Sequence, residues 1–227
     1  MKAIRLEHIK KQYGEGEAAV LAVQDINVAF ESGEFVAIMG ESGSGKSTLL
    51  SLLGALNRPT SGKYWVDDLD VYALPPDRQA DFRRENLGFV FQSFHLVPYL
   101  TVLENVMLPM TTQSLSRKKK QSLARQALAQ VGLDLKGDRL PNQLSGGEQE
   151  RVAIARAVVN DPGLILADEP TGNLDTKNSK GVMELFQTLN AKGKTVIMVT
   201  HSQEWSSYAN RILWISDGCL IRDEKKS

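Results

Sequence analysis

The chain has 227 residues, and its 27 Lys+Arg are balanced by 27 Asp+Glu for a formal net charge of zero. That balance removes the surplus of positive charge that a nucleic-acid binder needs, so no nucleic-acid partner is expected. The lone cysteine, Cys219, excludes an internal disulfide and fits a reducing compartment, and no apolar run approaches the roughly 20 residues of a membrane-spanning helix. The opening Met1-Lys2-Ala3-Ile4-Arg5 lacks the character of a signal peptide, so any membrane service is expected to pass through another chain. The length suits one large α/β domain with a helical insert.

The first 70 or so residues read as β-rich. Ile4/Leu6 and Ile26/Val28/Phe30 alternate with polar neighbours, the pattern of half-exposed strands. Phe35-Val36-Ala37-Ile38-Met39 is apolar without alternation, as a strand covered on both faces would be. A helix is expected to start at Lys46, with Leu49, Leu50, Leu52, Leu53 and Leu56 on or near one face. Pro59-Thr60-Ser61-Gly62 marks a turn before a Tyr64-Trp65-Val66 strand. Residues from about 75 to 160 read as mostly helical, broken at Pro98, Pro109 and Pro141. Within them Arg117-Lys118-Lys119-Lys120 opens a helix-like run through Gln130, best read as a solvated face. Alternation of strand and helix returns from Gly163: a buried strand to Ala167, a helix over 177–191, a second buried strand Thr195 to Thr200, then an Asp217-Gly218 turn between Ile212–Ile215 and Cys219–Arg222. Strands alternating with helices argue for a mainly parallel sheet. Neither internal repeats nor a low-complexity linker interrupt the chain.

Two stretches carry chemistry. Gly40-Glu41-Ser42-Gly43-Ser44-Gly45-Lys46-Ser47, followed by Thr48, fits the phosphate-binding pattern G-x-x-x-x-G-K-[ST] between a strand and a helix. Glycines let backbone N–H groups approach an anion, and the helix N-terminus adds unpaired donors and partial positive charge. Lys46 is expected to reach the β- and γ-phosphates, and the Ser47 hydroxyl to bind Mg²⁺. In Leu164-Ile165-Leu166-Ala167-Asp168-Glu169 four apolar residues lead into two carboxylates. At the C-terminal edge of a sheet Asp168 is placed to hold Mg²⁺ and Glu169 to act as general base, although the stretch alone reads equally as a strand entering an acidic surface turn.

Leu144-Ser145-Gly146-Gly147-Glu148-Gln149, ahead of the helix-like Arg151–Ala157, resembles the signature motif of the ATP-binding cassette (ABC) ATPases. The resemblance spans nearly the whole chain with its landmarks in order. It implies a P-loop NTPase with a RecA-like, mainly parallel sheet, an antiparallel β subdomain and an inserted α-helical subdomain. Residues 1–92 and 160–227 would form the β subdomain and core, and 93–159 the helical part. It also implies that ATP and Mg²⁺ bind between two copies of the chain, Ser145, Gly146, Gly147 and Glu148 of one capping the γ-phosphate held by the other. Tyr13 lies where the family carries an adenine-stacking aromatic, although an exposed or core tyrosine is an alternative reading. Gln92 resembles the glutamine that reaches Mg²⁺ and the attacking water, His201 the switch histidine, and Asn173-Leu174-Asp175 the loop that crosses the dimer interface. His8 and His95 read as structural or surface residues.

Phe89–Pro98, Leu100–Val106 and Ala167–Asp175 are similar to the MacB/LolD/FtsE branch. That likeness implies a permease partner of MacB/FtsX type, with this chain peripheral at the cytoplasmic face of the membrane and driving efflux, lipoprotein release or mechanotransmission. A groove for the permease is expected over about Ser93 to Met110. A non-transport ABC ATPase, or an FtsE-like regulatory subunit acting on cell-envelope enzymes, is the alternative. Glu150, where glutamine is frequent, and Asn173, where serine is frequent, depart from the commonest pattern.

Overall fold

The computed structural model describes residues 3–226. Met1 and Lys2, which open the stretch read against a signal peptide, and Ser227, which closes the expected domain range, lie outside the described residues.

In chain order the strands and helices are β1 (Ala3–Tyr13), β2 (Val20–Glu31), β3 (Phe35–Met39), α1 (Lys46–Leu53), β4 (Ser61–Val66), β5 (Leu69–Asp70), α2 (Pro76–Asn86), β6 (Leu87–Phe91), α3 (Val102–Met107), α4 (Arg117–Gln130), α5 (Gly146–Val158), β7 (Leu164–Asp168), α6 (Thr176–Ala191), β8 (Thr195–Val199), α7 (Gln203–Ser206), β9 (Arg211–Ser216) and β10 (Cys219–Lys225). They form two sheets. One is antiparallel, in the order β2-β1-β4-β5. The other, β10-β9-β3-β8-β7-β6, is parallel except for β10 at its edge.

The alternation of side chains along the parallel strands feeds two cores. Val36 and Ile38 point with Leu164, Leu166, Ile197 and Val199 toward α1 and the antiparallel sheet, whose Ile4, Leu6, Val28 and Phe30 close that core. Phe35, Ala37 and Met39 point with Ile165, Ala167, Val196 and Met198 toward α3–α6. Every residue of β3 and β8 is buried because both faces are covered.

Two expectations need correction. Helix α1 ends at Leu53 with Gly54 as its C-cap, and Leu56 lies beyond it, about half exposed. The 75–160 stretch is not helical throughout: Leu87–Phe91 is the outermost parallel strand, in register with Leu164–Asp168. A five-residue apolar run has no periodicity that separates strand from buried helix. Gly88 carried the cue, since a Cβ there would lie 2.4 Å from the Ala157 carbonyl oxygen, where α5 crosses β6 closely.

Apart from α1 and α2, the helices start where a side chain caps the first turn. Thr101 and Glu104 form a reciprocal capping box for α3, and Ser116 caps α4. The first turn of α4 carries Arg117, Lys118 and Lys119 exposed, as a solvated face requires. Between β6 and α3 the chain is irregular, and fully buried Asn105 holds it by accepting from the Val97 N–H and donating to the Val97, Leu100 and Thr101 carbonyls.

Arg211 ties the two sheets together. Its buried guanidinium donates to the Ala29 carbonyl of β2, to Glu34 and, in a two-pronged pair, to Asp223 of β10. Removing it leaves Glu34, whose side chain is 11% exposed, with only Lys225 and the Glu31 N–H as partners. Arg211→Ala is expected to destabilise the fold by about 2–3 kcal/mol in urea unfolding, and a loss below about 1 kcal/mol would show that the remaining partners satisfy both acids.

Candidate active site

The register of the parallel sheet brings the candidate residues to one edge. Four adjacent strands, β3, β8, β7 and β6, end in Met39, Val199, Asp168 and Phe91. The next residues are Gly40, Thr200-His201, Glu169 and Gln92, so the phosphate loop, both carboxylates, the histidine and the glutamine share the C-terminal edge where open α/β sheets bind ligands.

The phosphate loop is held by backbone. Gly40 (φ 153°) and Gly45 (φ 100°) lie so close to neighbouring strands that a Cβ would fall 2.0 Å from the Ile215 carbonyl oxygen and 2.2 Å from that of Ala22. The Gly218 N–H donates to the Ser44 carbonyl at 2.9 Å, and the Gly218 carbonyl accepts from the Gln24 N–H at 2.8 Å. The β9–β10 turn is therefore a buttress of the loop. Its Asp217-Gly218 signal was legible as a turn, but nothing in the sequence announced that contact. Glu41, Ser42 and Gly43 stay exposed at the tip, Ser44 is buried, and Thr48 is half-buried in α1.

Lys46 is buried, and its ammonium donates to the Glu41 carbonyl at 2.5 Å and the Ser44 hydroxyl at 3.4 Å, spanning the loop from within. The Ser47 hydroxyl donates to Asp168 Oδ1 at 3.1 Å. Burial raises the Asp168 carboxyl above its usual range; the Ser47 hydrogen bond and nearby Lys46 oppose the rise, and Glu169 adds to it. A hydroxyl and a carboxylate side by side, with a second acid next to them, form the hard-oxygen donor set that suits Mg²⁺.

Glu169 takes a left-handed backbone (φ 47°), unusual for a long side chain, at the point where the chain leaves β7. Its N–H donates to the Val199 carbonyl at 3.0 Å. Its Oε1 lies 2.9 Å from His201 Nδ1, with the histidine largely exposed and the acid largely covered. A carboxylate only accepts, so an ionised Glu169 fixes the Nδ1 proton on His201 and leaves its own Oε2 unengaged.

Gln92 is exposed, and its amide rests against Gly172, where a Cβ would come 2.8 Å from Nε2. The Asn173 amide donates to the Gln92 carbonyl at 2.8 Å, tying the loop after β7 to the loop after β6. Asp175 caps α6 by accepting from the Asn178 N–H and amide, bonds that hold its carboxyl below the usual range. Tyr13 ends β1 opposite Val20, 42% exposed, with the Lys11 ammonium 4.8 Å above its ring.

The Ser145–Glu148 segment opens α5 with a capping box. Gly147 is buried there, and a Cβ would meet the Asn178 side chain at 2.3 Å, so α5 and the start of α6 pack through it. Among the described residues, no hydrogen bond or ion pair joins Ser145–Glu148 to residues 40–48 of the same chain. The fold gathers the first group of candidates at one sheet edge, and the second stands apart from the phosphate loop in its bonding.

These features match a known group. The ABC transporter family profile covers residues 23–172. The chain belongs to the ABC transporter family. It is 48% identical over 222 residues to the ABC transporter ATP-binding protein YvrO of Bacillus subtilis, covering 98% of this chain and 97% of that one. It is 47% identical to the macrolide export ATP-binding/permease protein MacB of Chlorobium phaeobacteroides, covering 99% of this chain but 34% of the relative. The fold matches the dimeric structure of the MJ0796 cassette with a TM-score of 0.90 at 43% identity, 99% of each chain being covered. The same score, at 42% identity, is found with a post-hydrolysis dimer of MJ0796 bound to ADP and Pi. The chain is an ABC ATPase, the ATP-binding subunit that drives a transporter.

Glu150 is the unusual group near the site. It is fully buried, and neither carboxylate oxygen has a hydrogen-bond partner among the described residues. Arg156 spends its guanidinium on the Phe94 and His95 carbonyls. Burial pushes the Glu150 carboxyl up to about 8, partly offset by Arg156, so it is held as the neutral acid. Because the folded value lies above the unfolded one of 4.5, the folded state binds an extra proton between them and loses stability as pH rises through that window. In denaturant unfolding, the advantage of Glu150→Gln over the parent is expected to grow from pH 5 to pH 8, at up to about 1.4 kcal/mol per unit, and to level off above. A pH-independent difference would refute the neutral acid.

Proposed function

We propose that this chain works as a pair of identical subunits that close on two ATP molecules and drive a separate membrane permease of MacB/FtsX type from the cytoplasmic face. The observation that carries the reading is the convergence of Lys46, the Ser47–Asp168 pair, the Glu169–His201 pair and Gln92 on one sheet edge, with the signature segment making no hydrogen bond or ion pair to the phosphate loop among the described residues. A site of this kind is completed by a second copy. The dimeric state of the MJ0796 cassette supports that arrangement. MacB, named for both ATP binding and permease activity, supports a permease partner, and favours transport over a non-transport or regulatory ATPase. Among the described residues no helix is long and apolar enough to cross a membrane.

Each residue has a part in the reaction. The N–H groups of residues 40–45 and the Lys46 ammonium bind the β- and γ-phosphates, and Tyr13 offers its exposed face to adenine. Ser47, Asp168 and Gln92 would hold Mg²⁺, which when bound would neutralise charge on the transferring phosphoryl group. Glu169 accepts the proton of the attacking water at Oε2, while the His201 Nδ1–H orients the carboxylate through Oε1. Ser145 and the N-terminus of α5, from the other copy, cap the γ-phosphate. Asn173 and Asp175 sit where the two copies meet.

The permease is best received by the hollows around the β6–α3 connection. A cavity of about 480 Å³ is lined by Phe89, Phe91, His95, Pro109 and Arg156, and a second of about 440 Å³ by Leu100, Met107, Leu108 and Leu115. His95 thus contributes to a cavity wall as well as to local structure.

In Glu169→Gln, ATP hydrolysis should fall by about 10²–10⁴-fold, and light scattering should show an ATP-Mg²⁺-dependent shift from monomer to dimer. Lys46→Ala or Ser145→Arg should abolish that shift; a Glu169→Gln variant that binds ATP yet stays monomeric would show that closure needs the permease, and one that binds no ATP would overturn the reading. Leu96 packs against the core, so Leu100→Glu is the cleaner probe of the permease surface. It should uncouple transport while leaving basal hydrolysis intact, and unchanged transport would remove this surface from consideration.

A further inference from the structure

Position 148 puts an acid where the proposed shared site must receive an anion. Glu148 lies in the first turn of α5, three residues after the N-cap Ser145. A bare carboxylate there competes with an incoming triphosphate for the positive end of the helix and repels it. The chain disposes of that charge in two ways. Glu148 Oε2 accepts from the Ser145 N–H at 3.0 Å, and Oε1 is ion-paired with the Lys136 ammonium. Lys136 ends the short turn Asp134–Lys136 and is, among the described residues, the only cation within ion-pair distance of Glu148. Both side chains are mostly covered, so solvent screens the pair only in part. Meanwhile Ser145 Oγ accepts from the Glu148 N–H at 3.4 Å, which leaves the serine hydroxyl proton free to donate outward.

We propose that Lys136 is a positioning residue for hydrolysis: by pairing with Glu148 it neutralises the acidic signature segment, so that Ser145 and α5 can meet the triphosphate held by the partner copy. This rests on the shared-site reading above. It makes Lys136 necessary only because residue 148 is an acid. A lysine with a purely packing role would be missed whatever stood at position 148.

The test is a double-mutant cycle in the Glu169→Gln background, on the full chain, with ATP-Mg²⁺ as the probe. Sedimentation gives the dimer dissociation constant, and titration with a fluorescent ATP analogue gives nucleotide binding to the monomer. Lys136→Met should weaken dimerisation by at least about tenfold and leave monomer binding unchanged. Lys136→Arg, which keeps the charge, should stay within about threefold of the parent, and Lys136→Met combined with Glu148→Gln should dimerise at least about threefold more tightly than Lys136→Met alone. A Lys136→Met dimer as tight as the parent overturns the proposal, as does a double variant no better than the single. If Lys136→Met does not fold, Lys136→Gln takes its place in the same cycle. A parent that binds no ATP overturns the shared-site reading and this inference with it.

Discussion

The phosphate loop can take its shape only because two other strands press against its backbone. Gly40 lies on the Ile215 carbonyl, Gly45 on the Ala22 carbonyl, and Ser44 is hydrogen-bonded to Gly218. A loop that must present several N–H groups to an anion cannot satisfy them internally, and without outside support it would collapse into an ordinary turn. Support comes from both sheets: Ala22 belongs to the antiparallel one, Ile215 and Gly218 to the parallel one and its edge turn. The packing of the two sheets is thus part of the site, and Arg211, bridging β2, β9 and β10, helps to hold the frame on which the loop rests.

Around that frame the chemistry follows from strand order. Because β3, β8, β7 and β6 are neighbours in one parallel sheet, residues far apart in sequence arrive at a common edge without long side chains. Only short connections complete the set: the Asn173 amide on the Gln92 carbonyl, and Glu169 turned by its left-handed backbone toward His201. The strain at Glu169 is sustained by its N–H bond to Val199, so the local cost is offset by sheet pairing.

Much of this was legible because the residues concerned act locally. The apolar run 35–39 and the glycine pattern of 40–47 each state their own structure, the Ser-Gly-Gly segment at 145–147 states a helix start, and the acid pair at 168–169 gains its meaning only beside the phosphate loop. The strand at 87–91 was hidden, since a short buried run looks the same in either state and only Gly88, facing Ala157, betrayed a close crossing. Leu56 misled because leucine spacing continues past the point where Gly54 stops the helix. Lys136 and Asn178 carry no signal of their own. Their importance lies in which residues they touch, Glu148 and Gly147, and such long-range pairings are set by the packing of separate elements.

The far end of α5 has a mechanical meaning. Arg156, two residues from the end of that helix, donates two charge-assisted hydrogen bonds to the carbonyls of Phe94 and His95, just after Gln92. The helix has 13 residues, so it is a stiff rod of about 20 Å with Ser145 at its other tip. The connection at residues 94–95, part of it in the cavity wall, is thus tied to the same rigid element that carries Ser145. One guanidinium fastens that stretch to the rod, so the irregular connection and the helix tip share a single mechanical anchor.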